Sequence, residues 1–202
     1  KGASTWEDHG DLKILGDSNP HYFYGIDLTA SYKGFDFRCF LQGVLKHDFW
    51  PGESSYFWGV RGGYSKWYTI GLEQHNDYFR DQPIGLEGYE LPVNLDSYYP
   101  RPITSANSNG NTFGSKNQQT QSRYMQNAGY MRLKNLQLGY SLPKSVLDKV
   151  GIANCRVFVS GENLLTFTSL SSIFDPETCV GGWGGNAYPL SSTWSFGLSV
   201  TF

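Results

Sequence analysis

Four histidines, three cysteines and a scatter of carboxylates are the groups from which chemistry would have to be built, and their spacing builds none. His9, His21, His47 and His75 lie far apart, without the close spacing that metal ligands show, and each reads as a surface or interfacial residue. Cys39, Cys155 and Cys179 are odd in number and widely spaced, giving neither a disulfide framework nor a metal-binding pair. Glu7, Asp8, Asp11 and Asp17 are hard oxygen donors of the kind calcium takes, but their spacing is not that of an EF-hand loop. A solvated acidic segment explains them. Ser195 stands in Thr-Trp-Ser-Phe-Gly, which lacks the first glycine of a nucleophile elbow. Gly181-Gly182-Trp183-Gly184-Gly185 lacks the Lys-Ser/Thr of a phosphate loop and reads as a flexible outer loop. The expectation is a protein that is not an enzyme, with no catalytic residue, no metal ligand and no cofactor.

Recognition is better represented than catalysis. Trp50, Tyr56, Trp58 and Trp67 fall within one aromatic-dense stretch and are suited to stacking on a sugar or a peptide. The competing reading is that a long connection needs an apolar core of its own, which the same rings supply. Arg38, Gln42, Arg156 and Glu162 fall on the polar side of alternating segments, suited to hydrogen bonding with whatever fills an interior. Arg132 and Lys134 interrupt an apolar alternation at one end, which places them on the apolar side near lipid phosphates.

The elements that position these residues have a period of two. Tyr22–Tyr32 and Phe35–Lys46 alternate apolar with polar residues and are joined by Lys33-Gly34, a tight hairpin. Tyr130–Leu142, Cys155–Thr168 and Ser191–Phe202 alternate in the same way. In the last, Trp194, Phe196, Leu198, Val200 and Phe202 oppose Thr193, Ser195, Ser199 and Thr201. Segments of about ten residues or more exceed the usual globular strand and match a tilted strand crossing a bilayer. Aromatics gather near their ends, at Tyr22, Tyr24, Tyr32, Trp194 and Phe202.

Connections alternate between short and long. Lys33-Gly34 is short, and Pro143–Asn154 is compact, with a helical turn expected between Pro143 and Gly151. Residues 47–129 and Ser169–Leu190 form long connections. Within the first, Thr69–Phe79 suggests a short helix, and Ser105–Ser122 reads as a solvated polar segment. Membrane barrels have short turns at the periplasmic rim and long loops outside, and both long connections then fall outside.

Composition excludes other classes. A net charge of -2 with no basic stripe argues against a nucleic-acid partner. No apolar run is long enough for a transmembrane helix, but barrel strands average out to modest hydropathy and stay possible. The opening at Lys1 suits a mature or truncated product.

Tyr130–Pro143 (YMRLKNLQLGYSLP), Arg156–Thr168 (RVFVSGENLLTFT), Phe174-Asp175-Pro176-Glu177 and Thr193–Phe202 (TWSFGLSVTF) resemble the SusC/RagA family of TonB-dependent transporters. Gly16–Tyr24 and Ser31–Val44 resemble it as well, in the family's order. The resemblance implies an all-β, antiparallel transmembrane β-barrel of about 22 strands, of which residues 1–202 supply the last five. It implies that 47–129 is a long extracellular loop, and that the plug domain and earlier strands lie outside this sequence. It further implies a multi-pass protein of a Gram-negative outer membrane that imports a large nutrient, an oligosaccharide or, as the alternative, a peptide. A SusD-like lipoprotein would serve as lid and a TonB complex, acting through an N-terminal region, as motor. Trp50, Tyr56, Trp58 and Trp67 then become candidates for contact with substrate or lid. The rival readings are a soluble secreted β-sandwich that binds glycans and a passive porin.

Overall fold

A computed structural model describes residues 5, 7–52, 54–59, 71–101, 119–180 and 187–202. The chain divides into two compact units. One comprises the described residues of Lys1–Leu15, Trp50–Met125 and Ser172–Ala187; the other comprises Gly16–Phe49, Gln126–Ser171 and Tyr188–Phe202.

The second unit is the sheet. Its long strands are β1 (His21–Tyr32), β2 (Phe35–Lys46), β5 (Tyr130–Ser141), β6 (Asn154–Thr168) and β7 (Thr193–Thr201), in the order β1-β2-β5-β6-β7. Every neighbouring pair is antiparallel, so the sheet is an up-and-down meander. Two short strands, β3 (Asp48–Phe49) and β4 (Gln126–Asn127), pair with each other at the base of the 47–129 connection. All five expected strands are present, with ends within two residues of the alternation limits. Among the described residues no helix is long and apolar enough to cross a membrane, which leaves crossing by strands open.

Turn chemistry closes the short ends. Lys33 and Gly34 both take positive φ, 48° and 88°, the two-residue geometry whose twist matches the flanking strands. Glycine adopts this freely, whereas Lys33 does so at a small cost. The 142–153 connection carries one helical turn, α2 (Lys144–Leu147), entered from Pro143 and anchored by buried Leu147; Gly151 reverses the chain at φ 70°.

The register sorts the side chains into two faces. One carries the rows Tyr32–Phe35–Tyr140–Val157–Leu198, Ala30–Phe37–Leu138–Val159–Phe196, Leu28–Cys39–Leu136–Gly161–Trp194 and Ile26–Leu41–Leu133–Leu165. This face stays bare: Phe196 is 84% and Leu198 66% exposed, and Ile26, Leu28, Leu138 and Val157 are exposed too. A soluble sandwich would bury such a face against a second sheet.

The other face carries Ser31–Asp36–Gly139–Phe158–Gly197, Thr29–Arg38–Gln137–Ser160–Ser195 and Asp27–Phe40–Asn135–Glu162–Thr193. Phe40 and Phe158 are aromatic exceptions on it. Each covers a glycine: a methyl at Gly25 would touch the Phe40 ring, and one at Gly197 would run into the Phe158 ring. On the opposite face Tyr24 lies over Gly43 and donates its hydroxyl to the Tyr130 carbonyl at 3.3 Å. Rings laid over strand glycines recover the contact area that glycine lacks. Gly197→Ala is therefore expected to destabilise the sheet by about 1–3 kcal/mol through overpacking. In a double-mutant cycle measured by urea unfolding, Phe158→Ala should relieve most of that cost, and simple additivity would refute the contact.

One expectation fails. Strict alternation puts Arg132 and Lys134 on the apolar side, but the pairing slips between Leu133 and Asn135, leaving Lys134 as a β-bulge in β5. One extra residue reverses the phase of everything before it. Arg132 consequently joins the polar face between Gln42 and Thr166, is only 3% exposed, and donates Nε to Thr166 Oγ1 at 2.7 Å. In β6 the same slip skips two residues, Asn163 (φ 52°) and Leu164, which preserves the phase there.

Candidate functional site

The sheet's polar face is organised by ion pairs. Asp36 on β2 and Arg156 on β6 flank β5, and the residue between them is Gly139. With no side chain in the way, Arg156 forms a two-pronged pair with Asp36 across the intervening strand, at 2.9 and 2.5 Å. Arg38 forms a second two-pronged pair with Asp27 on the adjacent strand β1, at 3.2 and 2.6 Å. Arg156 also lies over the Phe158 ring, 4.9 Å from its centroid. These contacts fix guanidinium planes on a polar surface; they bring together no nucleophile and base.

At the edge where the long connections leave, Asp17 accepts from the backbone N–H and side-chain amide of Asn19 and meets His21 Nε2 at 2.9 Å. The Asn19 amide first, then His21, holds the Asp17 carboxyl below the usual carboxylate range. His47 is buried, and its burial pushes the imidazole pKa down, favouring the neutral ring. Among the described residues no three His, Cys, Asp or Glu side chains gather as metal ligands would. Of the cysteines, Cys39 and Cys155 lie on the sheet, and Cys179 is fully buried with its thiol pushed up to about 11 by that burial.

The first unit has an aromatic core. Phe57, on the short helix α1 (Ser55–Trp58), is 0% exposed and has the rings of Trp58, Tyr98, Tyr99, Tyr124 and Phe174 within 6.3 Å. Trp58 is 8% exposed, packs edge-on to Tyr124 at 5.0 Å, and donates its indole N–H to the Gly52 carbonyl. Trp50 joins at 6.0 Å from Trp58. Tyr56 is different: it is 42% exposed and faces outward. Trp67 lies outside the described residues, as do most of Ser105–Ser122 and all of Gly181–Gly185.

The expected helix over Thr69–Phe79 is, within the described residues, one 3-10 turn at Glu73–Asn76. His75 ties it down: its Nδ1 accepts from the Leu72 N–H at 2.9 Å, and its Nε2 lies 3.1 Å from the Phe57 carbonyl. Phe174 belongs to the FDPE motif. Asp175 there accepts from the Glu177 N–H at 2.9 Å, making the tight turn that delivers Phe174 to the cluster. Tyr124 and Phe174 lack any local sequence signal for joining Phe57; they come from segments far apart in the chain.

Beside this core is an open cleft of about 370 Å³, lined by Phe79, Leu95, Ser97, Tyr99, Arg101 and Arg123, among others. Arg80 stands nearby in sequence but is buried and structural, donating Nε to the Pro92 carbonyl and Nη1 to that of Asn76.

Fold and faces define an up-and-down antiparallel β-sheet protein with one bare apolar face and one polar, ion-paired face. No family model matches the chain. In sequence it is 30% identical to TonB-dependent receptor P3 of Formosa agariphila over 95% of this chain and 17% of that protein. It is 25% identical to TonB-dependent receptor P26 of the same organism, over 100% of this chain and 20% of that protein. In fold it matches the RagAB peptide transporter with TM-score 0.62 and 24% identity, over 95% of this chain and 18% of that one. The RagAB peptide importer in its open-open state matches with TM-score 0.59, 24% identity, and 94% and 18% coverage. The chain is thus similar in sequence to TonB-dependent receptors and in fold to RagAB, and it spans about a fifth or less of the relatives it matches.

Proposed function

We propose that this chain is a wall segment of an outer-membrane barrel through which a large nutrient is imported under TonB control. The observation that carries the reading is the bare face of the sheet. Apolar rows rich in Leu, Ile and Val, with Phe37, Phe196 and Trp194 among them, lie across its middle, and tyrosines and phenylalanines stand toward both ends: Tyr32, Phe35 and Tyr140 at the short-turn edge, Tyr24 and Phe167 at the long-connection edge. That is the arrangement of a surface graded from hydrocarbon to headgroup. The polar face, with its paired arginines, then looks into a lumen holding a plug supplied by the rest of the protein. Residues 47–129 form an extracellular connection in this reading.

The cargo is an oligosaccharide in our first reading, and a SusD-like surface lipoprotein acts as lid. Peptide is the second reading, favoured by the peptide importers among the similar structures. Among the described residues, exposed Tyr56 and half-buried Trp50 are the aromatic candidates with ring surface to offer a ligand or lid, whereas the Trp58 ring is taken up by packing. Expression of the full-length protein is the test. We expect a heat-modifiable band in the outer membrane, co-purification of a lipoprotein, and uptake of labelled oligosaccharide or peptide that stops when TonB is deleted. A soluble monomer in buffer, or uptake indifferent to TonB, would refute the proposal. Neighbouring reading frames encoding glycan enzymes or peptidases would separate the two cargoes.

A further inference from the structure

We propose that the open cleft of the first unit binds a carboxylate-bearing ligand; this deepens the importer reading and rests on it. Its floor is rigid. Tyr99, Tyr124 and Ser97 are all buried, and Ser97 Oγ donates to the Tyr99 carbonyl at 2.9 Å. Phe79 and Leu95 add apolar wall, so the space suits a ring or a side chain, and its volume of about 370 Å³ falls within the range of small-ligand sites.

Two guanidinium groups stand over that floor. Arg123 is held by the backbone carbonyls of Ser97 and Tyr98. Carbonyls fix the plane of the group while leaving its charge uncancelled. Arg101 is half-exposed, pairs with Asp81, and lies over the Phe79 ring at 5.6 Å from the centroid. The described lining of the cleft thus carries two cations beside aromatic surface and no carboxylate of its own; Asp81 pairs with Arg101 and Asp77 accepts from the Tyr98 N–H. Guanidinium recognises carboxylate through paired N–H donors, so the lining fits a carboxylate on an apolar or ring-shaped body. An acidic sugar and a peptide terminus both present that group.

The arrangement has an internal competitor, which makes the test sharp. Asp81 occupies Arg101, so a bound carboxylate must share or displace it. Full-length protein in detergent would be titrated calorimetrically with a uronic-acid trisaccharide and its neutral hexose counterpart. A tripeptide with a free C-terminal carboxylate and its amide form the second arm. The charged member of one pair should bind about tenfold or more tightly than its neutral partner, as a charge-assisted hydrogen bond implies, and the pair that discriminates identifies the source. Arg101→Gln, a half-exposed site, should abolish most of that preference without loss of the heat-modifiable band. Asp81→Asn should strengthen binding severalfold, a change of sign that a merely structural ion pair would not give. Equal affinities within both pairs, no binding of any probe, or an Asp81→Asn variant that binds no better would overturn the assignment. TonB-dependent uptake retained in such a case would leave the importer reading standing, whereas its loss in the unaltered protein would remove that reading first.

Discussion

Leu138→Arg should sharply reduce the assembled, heat-modifiable form of the full-length protein, while Ser160→Arg should leave it close to normal. Leu138 sits one row in from the Tyr32–Phe35–Tyr140 edge of the bare face, on the central strand β5, between Phe37 and Val159. An arginine at the midplane of the lipid face costs about 2–4 kcal/mol, and the penalty falls to about 0–1 kcal/mol near the interfaces. Leu198 shares the face but lies in the row of Tyr32, Phe35 and Tyr140, so Leu198→Arg should rank between the two. Ser160 belongs to the polar face between Gln137 and Ser195, where a cation meets hydrogen-bonding partners. It is a cleaner control than Ser199, which lies directly across from Arg156 and would add a like charge there. Folding into lipid vesicles, followed by urea titration, measures all three. Equal losses for Leu138→Arg and Ser160→Arg would sink the assignment of the faces.

Phe57→Ala should open the first unit. Removing a fully buried phenylalanine at the centre of five rings costs about 3–5 kcal/mol, the transfer term plus the cavity left among rings that relax only in part. The expected result is rapid hydrogen exchange at residues 54–58, 97–99 and 124 in the intact protein, and new protease cuts in the same region, with the sheet's amides unchanged. Tyr56→Ala, one residue away but outward-facing, should keep the wild-type pattern, since exposed substitutions stay within about 0.5 kcal/mol. Protection that survives in Phe57→Ala would mean the cluster is not what holds the unit together.

How much of this was legible in the sequence depends on whether the signal is local. The strands were, because alternation is a property of neighbours: Phe35–Lys46 comes out residue for residue. The turns were, because Lys33-Gly34 and Pro143 constrain their own backbone. The bulge was not, because a period-two reading carries its phase through any single insertion. Its trace is nonetheless present: Leu133 stands three residues before Leu136, an interval that no regular strand puts on one face, yet both share the apolar one. Phe40 and Phe158 escaped because a lone aromatic among polar residues makes sense only beside the glycines of neighbouring strands. The Phe57 cluster and the cleft were least legible. Trp50 and Trp58 stood out as aromatics, but the choice between packing and recognition turns on Tyr98, Tyr99, Tyr124 and Phe174, whose meeting is a long-range event.

The pinch formed by β3 and β4 at the base of the 47–129 connection bears on how quickly the sheet forms. Hairpins β1–β2 and β5–β6 have short connections and can form early, each on its own. Joining them requires the ends of a roughly eighty-residue stretch to meet, an entropic toll of about 4 kcal/mol for a flexible chain. The rate of the whole meander should thus follow the collapse of that stretch rather than the propensities of the strands. A variant with the connection shortened should zip its two halves together faster while leaving the final register unchanged.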